Sequence, residues 1–266
     1  MERSCFSEKT LTLSVLTAEF ALCVLQTGAP VTARSLFFQG LPMALALVLI
    51  TALTAGAEQR ADSFLGTDLR SRIVCGGLGL WFVWEAVETF RQAQELCWEN
   101  FSSMAMLGLL PLLLWAGWKL EPSVLVRCAP ILCWAAALAV LLCLLGLNGQ
   151  FHWEKLMLPT EPVTLTLPLY PEYFALPLFC PAKQVRGAVW LPVKVFILAG
   201  SFALCTELVF GAGNALPGIE LLRAGRLGSI SRFDALVLLV WLAAAMFRFC
   251  VLVQVVRQLA GRLWGR

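Results

Sequence analysis

The stretch SRFDALVLLVWLAAAMFRFCVLVQVV, residues 231–256, decides the fold class. From Ala235 to Phe247 every side chain is apolar. Charge stands only at Arg232 and Asp234 on one flank and at Arg248 farther in. A helix needs roughly 20 mainly apolar residues to cross a bilayer, and this run supplies them. The run is continuous rather than alternating, which excludes a strand of a membrane barrel. Arg232 and Asp234 fall at the outer mouth of the span, where charge meets water. Asp234 can cap the helix, because a carboxylate there meets free N–H groups and the positive end of the dipole. A gating or subunit-contact role for Asp234 and Arg232 is the alternative. Arg248 lies about four turns in and is expected to face the bundle interior or snorkel.

Composition extends this reading to the whole chain. Of 266 residues, 59% are hydrophobic and 14% charged, and the mean hydropathy is +0.80. A soluble domain carries about a quarter charged residues. One water-facing core cannot hide this much apolar surface, so lipid is the solvent for much of it. The net charge of +3 says little about partners. The basic residues form no stripe, which argues against nucleic acid. Most of the ten cysteines lie inside apolar runs, among them Cys23, Cys75, Cys133, Cys143, Cys205 and Cys250, and no CxxC occurs. They read as small buried hydrophobes rather than disulfides or metal ligands. His152 is the only histidine, so a histidine metal site or Ser-His pair is excluded, and no metal or cofactor is expected.

Apolar runs at 10–30, 36–57, 73–93, 102–118, 128–147, 163–181, 189–211 and 234–257 predict about eight spans in one integral membrane domain, residues 1–266. The fold class is therefore all-α, a polytopic transmembrane helical bundle. Trp and Tyr near several run ends, such as Trp118, Trp153 and Trp190, suit interfacial belts. The first run follows Arg3 and Lys9 like a signal peptide, but Glu19 and several threonines break it, so it is taken as a span. With the N-terminus inside, cytoplasmic segments hold Arg3, Lys9, Arg60, Arg70, Arg72, Lys119, Arg127, Lys183, Arg186, Arg257, Arg262 and Arg266. Outer segments hold Arg34, Arg91, Lys155, Arg223, Arg226 and Arg232, half as many. That bias places both termini in the cytoplasm and requires an even number of spans.

The sixth run is irregular. In TEPVTLTLPLYPEYFALPLFCPAKQ, residues 160–184, five prolines recur: Pro162, Pro168, Pro171, Pro177 and Pro181. Each removes an N–H and clashes with the preceding turn, so this helix is interrupted. Such backbone at membrane depth is tolerated only where protein or water covers it. Discontinuous helices of this kind build solute sites in transporters. Glu172 sits in the break, where an acid is costly and usually functional. A re-entrant hairpin with Glu172 at the water boundary is the competing reading. Elsewhere, Glu19 and Gln26 lie seven residues apart and share a helix face. In LWFVWEAVETFRQAQELCWEN, Glu88 and Arg91 can pair across one turn where the helix surfaces. Lys194 and Glu207 either snorkel or face the bundle.

The order of landmarks resembles a known family. RFDALVLLVWLAAAMFRF, residues 232–249, resembles a signature of the B-subunit family of spore germinant receptors, where Arg-x-Asp opens a late helix and a Trp follows. YPEYFALPLFCPAKQ, residues 170–184, resembles that family's interrupted sixth helix. WKLEPSVLVRCAPIL, residues 118–132, is similar to its loop between the fourth and fifth helices. NGQFHWEKLMLPTEP, residues 148–162, is similar to the stretch leading into helix six. The resemblance spans roughly residues 40–259. It implies the inverted-repeat fold of amino acid–polyamine–organocation transporters, here shortened at the C-terminus, since family members have ten helices. It implies a place in the spore inner membrane beside receptor A and C subunits. It implies binding of a small-molecule germinant, often an L-amino acid, near helices one, three, six and eight. The matching positions are Gln26 and Thr27, Glu85, Tyr170 and Glu172, and Asp234. The family's Gly-rich unwound stretch in helix one is reduced here to Thr27-Gly28-Ala29.

The expected function is thus a germinant-receptor subunit that binds a small polar solute and signals to its partners. A secondary transporter of amino acids or ions and a ligand-free membrane assembly protein are the alternatives. No nucleophile–base pair or intramembrane protease motif is present in the sequence, so an enzyme is not expected.

Overall fold

The computed structural model describes residues 7–25, 32–60, 69–147, 149–157, 169–174, 187, 189–211, 218–225 and 233–264. Side chains at 24–25, 56–60, 157, 218–219 and 233–234 fall outside that description. The described residues are all-helical, with no strand among them. Helix α1 is Glu8–Leu25. A three-residue α2, Ala33–Ser35, runs through a π-turn at Leu36–Gly40 into α3, Leu41–Arg60. Then come α4 (Leu69–Phe101), α5 (Ala105–Lys119), α6 (Pro122–Gly146) and a 3-10 turn at Trp153–Met157. Helices α7 (Leu191–Phe210), α8 (Gly218–Ala224) and α9 (Phe233–Leu263) complete the order.

Among the described residues, five helical segments are long and apolar enough to cross a membrane: Ala33–Ala55, Leu69–Phe101, Pro122–Gly146, Leu191–Phe210 and Ala235–Leu263. The chain is accordingly an integral membrane protein. In hydrocarbon each backbone N–H and C=O must be satisfied within its own segment, so continuous apolar runs become helices. The first expected run forms α1, which is 18 residues long and carries buried Glu19. The fourth forms the 15-residue α5. Most of the sixth run, including Pro162, Pro168, Pro177 and Pro181, lies outside the described residues.

Helix α9 is the post of the bundle. Of its most apolar window 72% is buried, against 28% or less for the other four candidate spans. Helices α1, α4, α5 and α6 pack around it, and α7 joins α1 to α3. The outer helices turn large apolar side chains outward, among them Trp84, Trp115, Ile131 and Trp134. That pattern suits lipid and no water-soluble surface.

Polar ties fix α9 against α5. The last carbonyls of a helix lack intrahelical donors. Here Gln254 Nε2 donates to the Leu120 carbonyl at 2.6 Å, and Arg257 donates to the Trp118 carbonyl. Gly117 makes the close approach. A Cβ there would sit 2.9 Å from Val253 Cβ and 3.2 Å from the Cys250 carbonyl oxygen. A second tie holds α2. Glu207 of α7 is buried and accepts from the Ala33 N–H at 2.8 Å, while Thr32 and Ser35 form a capping box. Glu207 therefore faces the bundle, whereas half-exposed Lys194 reaches the start of α1 and pairs with Glu8 at 2.9 Å.

Candidate functional site

The site begins with a position. Arg248 is the central residue of the 31 in α9, and Glu85 is the central residue of the 33 in α4. Inside the bundle, away from water, an isolated charge is expensive. Each must find a partner, and the two find each other: Arg248 Nη2 lies 2.9 Å from Glu85 Oε2.

Arg248 is fully enclosed. Its Nε donates to Glu172 Oε1 at 3.0 Å, its Nη2 lies 3.0 Å from the same oxygen, and its Nη1 donates to Thr89 Oγ1. Thr89 follows Glu85 by four residues on α4, so both project from one helix face. Glu172 is completely buried. It stands among helical residues 172–174, entered from Leu169 and Tyr170 without regular structure. From α1, Ser14 Oγ donates to Glu172 Oε1 at 3.4 Å and to the Leu11 carbonyl at 3.1 Å.

A second acid closes the other side. Tyr170 Oη donates to Glu19 Oε2 of α1 at 2.8 Å. The Tyr170 ring also receives the Arg248 guanidinium, 5.6 Å from its centroid. Tyr173 is buried beside it, its ring edge-on to Tyr170 at 5.8 Å. One guanidinium thus serves Glu172 and Glu85, with Glu19 held by a phenol. In their ordinary ionised forms these groups carry an excess of negative charge. Glu172 Oε2 is buried and has no hydrogen-bond partner among the described residues.

Of the residues expected from sequence, Glu85, Tyr170 and Glu172 come together here. Glu172 is not at a water boundary but at the centre of the packing. Gln26, Thr27 and Arg232 lie outside the described residues. Asp234 is the second residue of α9, and its side chain falls outside the description. Fourteen residues, or about 21 Å of helix rise, separate it from Arg248. Arg248 was legible as a buried charge, but not as the hub. Ser14, Thr89 and Tyr173 were missed, and Glu19 was noticed without a role. The available signal was the i, i+4 pair Glu85 and Thr89 on one face of a long apolar helix.

No protein-family model, curated protein or solved structure matches the chain. Among the described residues, no group of three or more His, Cys, Asp or Glu side chains is placed to hold a metal ion. What the cluster can do follows from its charges. It joins α1, α4, residues 169–174 and α9 in one polar contact. A solute or proton that changes its charge balance changes how those four elements hold together.

Proposed function

We propose that this chain is the transmembrane subunit of a spore germinant receptor, one that binds a small polar solute at mid-membrane and passes the event to partner subunits. The observation that carries the reading is the convergence of Ser14 and Glu19, Glu85 and Thr89, Tyr170 and Glu172, and Arg248. These come from the first, third, sixth and eighth expected spans. The resemblance implies a solute site on those same four. In this reading the chain has about eight spans in an inverted-repeat arrangement, with both termini in the cytoplasm. It sits in the spore inner membrane with receptor A and C subunits. Binding draws Glu172 or Glu85 toward the solute, loosens their hold on Arg248, and lets α9 shift against α4. A population shift of this kind needs only a solute that prefers one arrangement of the cluster.

Germination of spores lacking the gene, beside spores carrying Glu172→Gln, tests this against amino acids, sugars and nucleosides. Loss of response to one solute class in both strains is expected. Full response to every solute in the deletion strain overturns it. Secondary transport of an amino acid or ion is the second reading, favoured by the same intramembrane charges. Uptake into proteoliposomes containing the chain alone, abolished by Glu172→Gln, would select it.

A further inference from the structure

The solute-site reading leaves the chemistry of the solute open, and the hydrogen-bond inventory of the cluster narrows it. This step rests on that reading. An amino acid has two charged ends, and its carboxylate needs donors. The natural donor in the cluster is Arg248, and each of its guanidinium nitrogens already turns an N–H to Glu172, Thr89 or Glu85, so most of its five N–H groups serve the cluster's own acceptors. Ser14 donates to the Leu11 carbonyl and to Glu172, and Tyr170 donates to Glu19. Arg248, Ser14 and Tyr170 thus direct donors into the cluster itself.

The acceptors are in the opposite condition. Glu172 is completely buried, and its Oε2 meets no donor among the described residues. A buried carboxylate oxygen without a donor is costly and rare in a folded protein. Three carboxylates, Glu19, Glu85 and Glu172, stand against one guanidinium. Aromatic faces complete the setting: Tyr170 already receives one cation on its ring, and Tyr173 lies edge-on beside it. Ring faces attract cations and repel carboxylates. The three acids are not grouped as metal ligands among the described residues.

We infer that the solute presents an ammonium group to this cluster and needs no carboxylate: the site takes a small primary amine, held by Glu172 Oε2 as a charge-assisted acceptor. The missing donor is then the ligand's own N–H, and one added positive charge offsets part of the acidic excess. Arg248 acts as a resident cation that the incoming amine supplements. Because it already holds Glu172 and Glu85, the amine competes with it for the same carboxylates, which couples occupancy to the hold of α9 on α4.

The test uses the full chain in lipid nanodiscs with four probes: ethylammonium, putrescine, L-alanine and propionate, read by calorimetric titration. Saturable binding of ethylammonium or putrescine, with L-alanine and propionate weaker by about ten-fold or more, is expected from the loss or gain of one charge-assisted hydrogen bond. L-alanine binding as tightly as either amine overturns the inference and leaves the small-solute reading standing. Binding of none of the four overturns both. In Glu172→Gln, amine affinity should fall about ten-fold or more, and undiminished affinity places the amine elsewhere and overturns the assignment. Should that variant not fold, dicyclohexylcarbodiimide labelling of Glu172 in the native chain replaces it. Bound amine should block the label, and Glu172 labelled equally with and without saturating ethylammonium sinks the proposal.

Discussion

Helix α4 carries two Arg–Glu clusters built from acids only three residues apart. Glu85 meets Arg248 inside the bundle, and Glu88 meets Arg91 on its surface. The distances are nearly the same, 2.9 Å for the inner pair and 2.7 Å for the outer one. The surroundings are not. The Arg248 side chain is 2% exposed and that of Arg91 is 60% exposed. Arg91 also reaches Glu95 at 3.1 Å, so the outer cluster is an i, i+3 and i, i+4 ladder within one helix. The inner cluster joins elements far apart in sequence. The outer one trades water for water-like partners and tightens a helix that has already formed. The inner one holds charges that have no other means of being satisfied.

The largest effect expected from this contrast is that of Arg248→Leu. Removing the guanidinium leaves Glu172 and Glu85 buried beside each other without a counter-charge. The loss should be about 3–5 kcal/mol, read as the unfolding midpoint of the chain in nanodiscs or mixed micelles. Adding Glu172→Gln and Glu85→Gln to the same chain should recover most of it, because the cost lies in unpaired charge rather than missing volume. If Arg248→Leu alone unfolds with the native chain, the inner cluster is no more consequential than the outer one and the contrast collapses.

How far the sequence could have led there differs between the helices and the cluster. The helices were plain. The run at 36–57 became α3 behind its π-turn, 128–147 became α6, and 234–257 became α9. A continuous apolar run in lipid has no other way to satisfy its backbone. The surface ladder at Glu88 and Arg91 was equally plain, because its rule is local. The inner cluster was not. Arg248 and Glu85 are 163 positions apart, and Arg248 and Glu172 are 76 apart. Nothing in hydrophobic periodicity says which helices become neighbours or at what height. An Arg in mid-span says only that an acid must be near it. Several acids within the apolar runs, among them Glu19, Glu85, Glu172 and Glu207, were candidates for that role, and the fold uses Glu85 and Glu172.

Glycine sharpens the same inside–outside contrast on α5. Gly117 abuts Val253 and the Cys250 carbonyl, whereas a Cβ on Gly108 meets nothing within 4 Å. Gly117→Ala should cost about 1–3 kcal/mol, since the new methyl drives α5 off the central helix and loosens the bond from Gln254 to the Leu120 carbonyl. Gly108→Ala should be neutral or stabilising by up to about 1 kcal/mol, because alanine is the better helix former and no neighbour is displaced. The same unfolding measurement on both variants reads the packing of α9 directly. Equal effects would mean that α5 does not press on α9 at Gly117.

The smallest effect belongs to the outer cluster. Arg91→Ala removes contacts to Glu88 and Glu95 that are short and well aligned, and by distance alone it would be ranked with Arg248→Leu. It should instead cost about 0.5 kcal/mol and at most about 1 kcal/mol, because both acids regain solvent when the guanidinium leaves. Glu88 also keeps the Gln92 amide, which donates to it at 3.1 Å. Salt supplies an independent reading. The Arg91 increment should shrink as ionic strength rises, since exposed pairs are screened, while the Arg248 increment should stay nearly constant because ions do not reach it. An Arg91→Ala loss as large as that of Arg248→Leu and insensitive to salt would mean that the outer ladder is covered in the membrane, by lipid headgroups or a partner chain.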